Sequence, residues 1–146
     1  MPPAGTRLTA ADLMTPAPRS CTTFSSVLEA ALIFRDADCG AVPILQDGTP
    51  VGVLTDRDVA LALAEYPDLA SRSVGDIMTK GVISVPPAAT IDQIQAELTK
   101  HAVRRVLVVE GGQLVGIISW GDLAAHVGDL AVGVIVTPVL ESPPKA

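Results

Sequence analysis

The chain has few aromatic residues and no long apolar run, and both shortages narrow what it can be. Aromatic residues make up 3% of the 146 residues, although hydrophobic residues as a whole reach 49%. We therefore expect a globular protein with an aliphatic core of Val, Leu, Ile and Ala. The apolar run near the end, residues 130–136, is much shorter than the roughly 20 residues that a membrane-spanning helix needs.

Positive charge is also scarce. Ten Lys and Arg side chains stand against 16 Asp and Glu side chains, which gives a formal net charge of −6 at pH 7. We expect no binding to bulk nucleic acid or to an anionic membrane, because both repel negative charge. The first ten residues lack the basic-then-apolar pattern of a secretory signal, and this favours a cytoplasmic protein.

The two cysteines, Cys21 and Cys39, do not suggest a metal site. They form no CxxC pair, and neither has a histidine nearby in the sequence. Zinc sites usually combine such residues at short spacings. We interpret both cysteines as small buried hydrophobic residues in a reduced compartment, and we expect no metal and no cofactor.

The chain does contain one sequence pattern twice. The segment DLMT at residues 12–15 recurs as DIMT at residues 76–79, 64 positions later. At the same offset, VGVLT at residues 51–55 recurs as VGIIS at residues 115–119. The two copies align without a gap, so we conclude that a unit of about 50 to 60 residues is duplicated.

The duplication defines the domain organisation. We assign repeat 1 to residues 8–66, a linker to residues 67–73, repeat 2 to residues 74–128, and an apolar tail with a disordered C-terminus to residues 129–146. A single repeat is small, and its continuous apolar strands need cover on both faces. We therefore expect a mixed α/β (α+β) fold in which two βαββα repeats pack through their sheets around a pseudo-twofold axis.

Repeat 1 shows alternating helix and strand signals. Ser25 or Ser26 is suited to cap a helix that ends near Ala37, and a later helix is expected over about residues 56–66. The Asp-Gly pair at residues 47–48 predicts a tight turn between two short strands. The residues expected on the buried face of the first helix share helical spacing: Val27, Ala30, Ala31 and Phe34.

Repeat 2 carries matching signals. Thr90 and Gln93 have the spacing of a capping box at the start of a helix. The Gly-Gly pair at residues 111–112 predicts a second hairpin turn. Before them, Ser73 is expected to cap a short helix over residues 74–78.

The closing segment of each repeat places polar groups where a strand passes into a helix. In repeat 1, Gly52 permits the close approach of a ligand or of neighbouring backbone. Thr55 lies at the end of the strand, and free N–H groups at the start of the next helix suit a phosphate. Asp58 is placed to accept hydrogen bonds from a ribose diol. Repeat 2 offers the same set as Gly116, Ser119 and Asp122.

These residues also have a purely structural interpretation. Thr-x-x-Asp and Ser-x-x-Asp are common capping arrangements, in which the carboxylate stabilises its own helix. Their presence at the same point of both copies strengthens the case for a ligand. From the residues alone, both ligand binding and capping remain open.

The opening and closing motifs together resemble those of the cystathionine β-synthase (CBS) domain family. The opening motif matches at residues 12–15 and 76–79. The closing G-h-x-[T/S]-x-x-D motif matches at residues 52–58 and 116–122. The two copies cover about residues 10–128 and resemble small stand-alone CBS pairs.

This resemblance implies a regulatory module, not an enzyme, that binds AMP, ADP, ATP or S-adenosylmethionine between the repeats. It implies that phosphate and ribose are contacted by the closing motifs, at Thr55, Asp58, Ser119 and Asp122. Adenine is expected among aliphatic side chains and backbone near the first strand of a repeat, around residues 82–85, which include Val82 and Ile83, and around residues 19–22. The resemblance also implies a homodimer. The alternative is an interaction scaffold of the same fold with no physiological nucleotide.

The two copies differ at two places that bear on this function. Repeat 2 has Arg104 and Arg105 before its central strand, where repeat 1 has Gly-Ala at residues 40–41. The arginines are either phosphate ligands or solvated charges at a strand edge. Repeat 2 also has Trp120 where repeat 1 has Asp56, and this indole either contacts the ligand or packs at a dimer interface. We therefore expect two sites that are not equivalent, with the stronger phosphate binding beside the arginines.

Overall fold

The computed structural model describes residues 8–16, 18–37 and 39–127, and these form two compact units. The first unit contains residues 18–82, and the second unit contains residues 83–127 together with residues 8–16. Each unit has its own small sheet with helices, so the predicted mixed α/β class is confirmed. The predicted apolar tail, residues 129–146, lies outside the described residues.

The elements follow the repeat closely. In chain order they are α1 (Ala10–Leu13), β1 (Thr15–Pro16), β2 (Cys21–Thr22), α2 (Val27–Ala37), β3 (Ala41–Gln46), β4 (Thr49–Thr55), α3 (Asp56–Ala62), β5 (Thr79–Lys80), β6 (Ser84–Val85), α4 (Ile91–His101), β7 (Arg105–Glu110), β8 (Gln113–Ser119) and α5 (Trp120–Val127). Two 3₁₀ turns, Leu69–Ser71 and Val74–Asp76, lie between α3 and β5. The segment predicted as a linker therefore contains ordered structure inside the first unit.

The two sheets have matching topologies. The strand order is β2-β3-β4-β5 in the first unit and β6-β7-β8-β1 in the second. The pairs β2–β3 and β6–β7 are parallel, and the other pairs are antiparallel. The last strand of each sheet belongs to the opening motif of the other repeat, since β5 follows DIM and β1 follows DLM. The compact units and the sequence repeats therefore have different boundaries.

Both predicted hairpin turns are confirmed. Asp47 and Gly48 have φ of 52° and 82°, and Gly111 and Gly112 have φ of 58° and 79°. Positive φ at both central residues defines the two-residue turn whose twist matches that of the flanking strands. Asn, Asp and Gly tolerate this conformation best, which is why the Asp-Gly and Gly-Gly pairs predicted the turns correctly.

Side-chain caps fix the starts of two helices. The Glu29 N–H donates to the Ser26 hydroxyl at 3.1 Å, so Ser26 is the cap of α2. At α4, the Gln93 N–H donates to the Thr90 hydroxyl at 3.2 Å and the Gln93 side chain accepts from the Thr90 N–H at 2.9 Å. The predicted capping box is therefore confirmed.

Two helix predictions are wrong in extent. α3 ends at Ala62 instead of continuing to about residue 66, because residues 63–65 form turns. The helix expected over residues 74–78 is a single 3₁₀ turn, and Ser73 donates or accepts no side-chain cap. The Ser73 backbone instead forms a bridge to Ser26, which holds it in an extended conformation.

The buried face of α2 was predicted in part, and Ile33 was missed. Val27, Ala30 and Ile33 are buried, whereas Ala31 is half-buried. Ile33 offers more apolar surface than Ala31, and the stripe at i, i+3 and i+6 directs it to the core. Phe34 packs partly against the same core, as predicted.

Each unit has an aliphatic core built at equivalent positions of the repeat. The first core includes Val42, Ile44 and Leu54, and the second includes Val106, Val108 and Ile118. All six side chains are almost fully buried. Within the described residues, no helix has both the length and the apolar character that crossing a membrane requires.

The cysteines differ from each other. Cys21 is buried in the first core, as predicted, and burial raises the pKa of its thiol. Cys39 is only half-buried, so the prediction of a second buried cysteine is wrong. Both thiols are free, and no three metal-ligating side chains come together in the described part of the chain.

Candidate functional site

The closing segment of repeat 1 folds into a reciprocal cap. β4 passes into α3 at Thr55, whose hydroxyl accepts a hydrogen bond from the Asp58 N–H at 3.1 Å. The Asp58 Oδ2 atom accepts in return from the Thr55 N–H at 2.9 Å. Two backbone donors are thereby satisfied, and the two side chains are held at the end of the strand. Thr55 is only 8% exposed, and its hydroxyl, which accepts the capping bond, keeps its own hydrogen as a donor.

The closing segment of repeat 2 has the same geometry. The Asp122 N–H donates to the Ser119 hydroxyl at 3.1 Å, and Asp122 Oδ2 accepts from the Ser119 N–H at 2.9 Å. The capping interpretation is therefore realised in both copies. Capping does not prevent binding, because a carboxylate has two oxygens and about four acceptor positions.

The start of each helix has fewer open amides than the sequence suggested. The Asp56 N–H donates to the Gly40 carbonyl at 3.1 Å, and the Trp120 N–H donates to the Arg104 carbonyl at 3.0 Å. The third amide of each helix is taken by the cap. The expectation of a row of free N–H groups for a phosphate is therefore wrong at the first and third positions, because the chain itself satisfies them.

The arginines of repeat 2 lie beside its closing segment. Arg105 begins β7 and is the backbone partner of Ser119 on β8. Arg104 precedes it and receives the Trp120 N–H at its carbonyl. Both arginines are half-buried. In the first unit the equivalent partner of Thr55 is Ala41, so this position carries no positive charge.

The residues predicted to line the adenine site fall in different units. Ile83 is partly buried against the second core, and its carbonyl accepts from the Leu107 N–H at 3.0 Å. Val82 ends the first unit. The second unit therefore contains Ile83, Arg104, Arg105, Ser119 and Asp122, whereas the first unit contains Thr55, Asp58 and Val82.

Trp120 has a role that was not predicted. Its side chain is only 9% exposed and belongs to the second core, together with Ile118 and Leu123. The expected contact with a ligand or with a dimer partner is therefore replaced by packing within the unit. The indole fills this core in a chain that has little other aromatic volume.

The glycines of the closing motif make room for the opening motif. A Cβ atom at Gly52 would lie 2.6 Å from the Thr79 carbonyl oxygen and 2.9 Å from the Met78 sulfur. At Gly116 it would overlap the side chain of Met14. Of the two interpretations given to Gly52, close approach of neighbouring chain is the one observed.

Sequence reasoning missed one residue at the first junction. The Thr79 hydroxyl lies 3.4 Å from Oδ2 and 3.5 Å from Oδ1 of Asp58. Thr79 ends the opening motif of repeat 2, and Thr15 ends that of repeat 1. This recurrence was the available signal, but the sequence does not show that an opening motif pairs with the closing strand of the other repeat.

Comparison with known proteins agrees with these features. The model of the CBS domain family matches residues 10–65 and 74–129. The uncharacterized protein YlbB of Bacillus subtilis is 37% identical over 115 residues, which cover 77% of this chain and 78% of that protein. Hypoxic response protein 1 of Mycobacterium tuberculosis is 32% identical over 126 residues, covering 85% of this chain and 88% of that protein.

Solved structures share the fold. The hypoxic response protein I structure, which has two coordinated zinc ions, gives a TM-score of 0.74 at 32% identity and covers 81% of this chain and 98% of its own. The CBS domain pair of protein MJ0100, in complex with 5′-methylthioadenosine and S-adenosyl-L-methionine, gives 0.75 at 26% identity, with 84% and 98% covered. CBSX2 in complex with AMP gives 0.72 at 26% identity, with 82% and 96% covered. With both repeats matched by the family model, this chain belongs to the CBS domain family and contains two CBS domains.

Proposed function

We propose that this chain is a cytoplasmic ligand-sensing module that binds an adenosine-containing compound (AMP, ADP, ATP or S-adenosylmethionine) and is not itself an enzyme. The observation that carries the proposal is the pair of structural neighbours, both 26% identical, that contain AMP or 5′-methylthioadenosine and S-adenosyl-L-methionine. These compounds share adenine and a ribose diol. The common chemistry to be recognised is therefore adenosine, and the group on the 5′ carbon distinguishes the ligands.

The closing junctions provide groups that suit this chemistry. We assign the ribose diol to the carboxylates of Asp58 and Asp122, and the 5′ group to the neighbourhood of Thr55 and Ser119. Asp58 caps α3 through Oδ2, and its other oxygen, Oδ1, can still accept from a ligand. Val82 and Ile83 are proposed to contact adenine.

The second unit has positively charged side chains beside its closing segment, and these suit a phosphate. Arg105 begins the strand that pairs with Ser119 and Arg104 directly precedes it, so two arginines, a hydroxyl and a carboxylate occur at the same end of one hairpin. An anionic ligand needs local positive charge to approach a chain of net charge −6. We therefore propose that phosphorylated ligands bind more tightly in the second unit.

Isothermal titration calorimetry with adenosine, AMP, ADP, ATP and S-adenosylmethionine tests the proposal. We expect saturable binding of at least one compound, and a 260 nm absorbance excess in the purified protein if the ligand is retained. Asp58→Ala and Asp122→Ala should each weaken binding at their site about ten- to a hundredfold, since each removes a charged acceptor.

Asp12 provides the matched control for those variants. Its carboxylate accepts from the Thr9 N–H at 2.8 Å, so it forms a third aspartate cap, remote in sequence from the closing motifs. Asp12→Ala removes a cap but should leave every affinity unchanged. The proposal fails if none of the five compounds binds to the folded protein, or if the three Asp variants behave alike.

One observation favours a second function, an interaction scaffold with no physiological nucleotide. The first unit exposes large apolar side chains: Phe24, Leu28, Leu32, Leu61 and Leu63. Such surface on a small protein is commonly covered by a partner. We propose a homodimer on this basis, and sedimentation velocity at micromolar concentration tests it. A monomer would remove this support for the scaffold.

A further inference from the structure

We propose that Thr79 is a positioning residue for Asp58: its hydroxyl holds the carboxylate in the orientation that presents Oδ1 to the ribose diol of an adenosine ligand. The inference rests on the proposed function. It adds a contribution from the opening motif of repeat 2 to the site formed by the closing motif of repeat 1.

The backbone fixes Thr79 beside the junction. Thr79 pairs with Val53 of β4, two residues before Thr55. The missing Cβ of Gly52 is what allows β5 to lie this close, because a Cβ there would meet the Thr79 carbonyl at 2.6 Å. The position of the hydroxyl is thus set by sheet pairing and not by a flexible loop.

Two donors hold the Asp58 carboxylate. Oδ2 receives the Thr55 N–H at the ordinary distance of 2.9 Å. The Thr79 hydroxyl lies nearly midway between the two oxygens, at 3.4 Å from Oδ2 and 3.5 Å from Oδ1. These distances exceed those of strong O–H···O bonds, so the contact adds little stability. Its effect is on orientation, because the terminal torsion of an Asp side chain has a broad range that a single bond does not fix.

The carboxylate keeps capacity for a ligand. Within the described residues, Thr79 is the hydrogen-bonding neighbour of Oδ1, and each carboxylate oxygen accepts about two bonds. A ribose diol has two adjacent hydroxyl donors, and it gains most when the carboxylate plane is already aligned. Loss of the Thr79 hydroxyl should therefore weaken recognition of the diol but not of adenine.

The experiment compares adenosine with 2′,3′-dideoxyadenosine, which lacks both hydroxyls. The variants are Thr79→Val, which keeps the branched shape, and Thr79→Ser, which keeps the hydroxyl. Thr15→Val is the matched control, since Thr15 occupies the same motif position but pairs with Ile117 in the second unit. Calorimetry gives the ratio of the two Kd values for each protein, and circular dichroism confirms folding.

We expect Thr79→Val to lower the preference for adenosine about three- to tenfold, because a misaligned Asp58 carboxylate would lose about one of its hydrogen bonds to the diol. Thr79→Ser should retain most of the preference, and Thr15→Val should retain all of it at the Asp58 site. In an Asp58→Ala background, Thr79→Val should have no further effect, because Thr79 acts through that carboxylate.

Two results would overturn the inference alone. One is a parent-like preference in folded Thr79→Val; the other is a Thr79→Val effect that persists in the Asp58→Ala background. A parent protein that binds neither adenosine nor AMP would instead overturn the proposed function, and this inference with it.

Discussion

In the first unit, β4 ends at Thr55 beside Ala41, whereas in the second unit β8 ends at Ser119 beside Arg105. The cap that follows has the same two hydrogen-bond distances in both units. The residue beside the cap differs in charge, because Ala41 is neutral and Arg105 is positive. The two copies therefore share the cap and differ in the residue that begins the neighbouring strand. That residue affects what each copy can bind.

The exposed faces of α2 and α4 also differ between the two units. Leu28 and Leu32 of α2 are exposed, and their equivalents on α4 are Asp92 and Ala96, also exposed. The first unit thus has exposed leucines on α2 and no basic residue at the start of β3, whereas the second unit has smaller or polar residues at those positions of α4 and Arg105 at the start of β7. Duplication preserved the cores and the turns, and the surfaces diverged.

The largest effect on stability is expected from the removal of Trp120. Its equivalent in the first unit is Asp56, which is exposed. Trp120→Ala should cost about 3–5 kcal/mol, the usual loss for a large aromatic residue in a core. Urea unfolding followed by circular dichroism measures it. Asp56→Ala should cost less than about 1 kcal/mol, the range of a charge near a helix start. Similar costs for both would show that the indole is not a core residue.

The two closing glycines should both resist an added methyl group. Gly52→Ala meets a backbone oxygen and should cost about 1–3 kcal/mol, as overpacking does. Gly116→Ala overlaps the Met14 side chain from its sulfur back to its Cβ, which a change of rotamer does not move, and should cost a similar amount. Gly121→Ala is the control, because its new methyl group would lie at an ordinary 3.5 Å from the Ser119 hydroxyl. It should gain up to about 1 kcal/mol from helix propensity. A cost at Gly52 or Gly116 as small as that at Gly121 would contradict the account.

The charge difference between the units is tested by Arg104→Ala combined with Arg105→Ala. We expect AMP and ATP to bind about tenfold more weakly, with a smaller dependence on salt and with adenosine affinity unchanged. Calorimetry at two salt concentrations measures this. Arg35→Ala combined with Lys100→Ala changes the net charge equally and should have little effect, since both side chains are exposed. Equal losses for adenosine and ATP would mean that Arg104 and Arg105 support the fold.

The smallest expected effect concerns Cys21, whose equivalent in the second unit is Val85. Burial raises the pKa of the Cys21 thiol above its unfolded value. The corresponding stabilisation is present at neutral pH and is lost as the pH rises through the folded pKa. Cys21→Val should change the free energy of unfolding at pH 7 by less than about 1.5 kcal/mol. The decrease in the free energy of unfolding between neutral and alkaline pH should be smaller in this variant than in the parent protein. Urea unfolding at pH 7 and pH 10 gives both values, and parallel pH profiles would contradict this.

Local signals predicted much of the fold and part of the site. The Asp-Gly and Gly-Gly turns, the Ser26 and Thr90 caps and the two Asp-containing closing boxes all depend on residues within four positions of one another. The partners of Gly52 and Gly116 lie far away in the sequence, and no local pattern encodes them. Trp120 was misread for a related reason, since its burial depends on which helix face meets the core.

The exchange of opening strands has a consequence for any shortened form of the protein. A fragment limited to residues 8–66 would keep β1, which its own sheet does not use, and would lose β5. The edge of β4 would then present unpaired N–H and C=O groups, and such edges recruit strands from other molecules. Two identical fragments can satisfy each other by exchanging their N-terminal segments. Halving the gene at the repeat boundary should therefore favour a strand-exchanged dimer, whereas a cut that preserves residues 18–82 should yield a sheet complete in one chain.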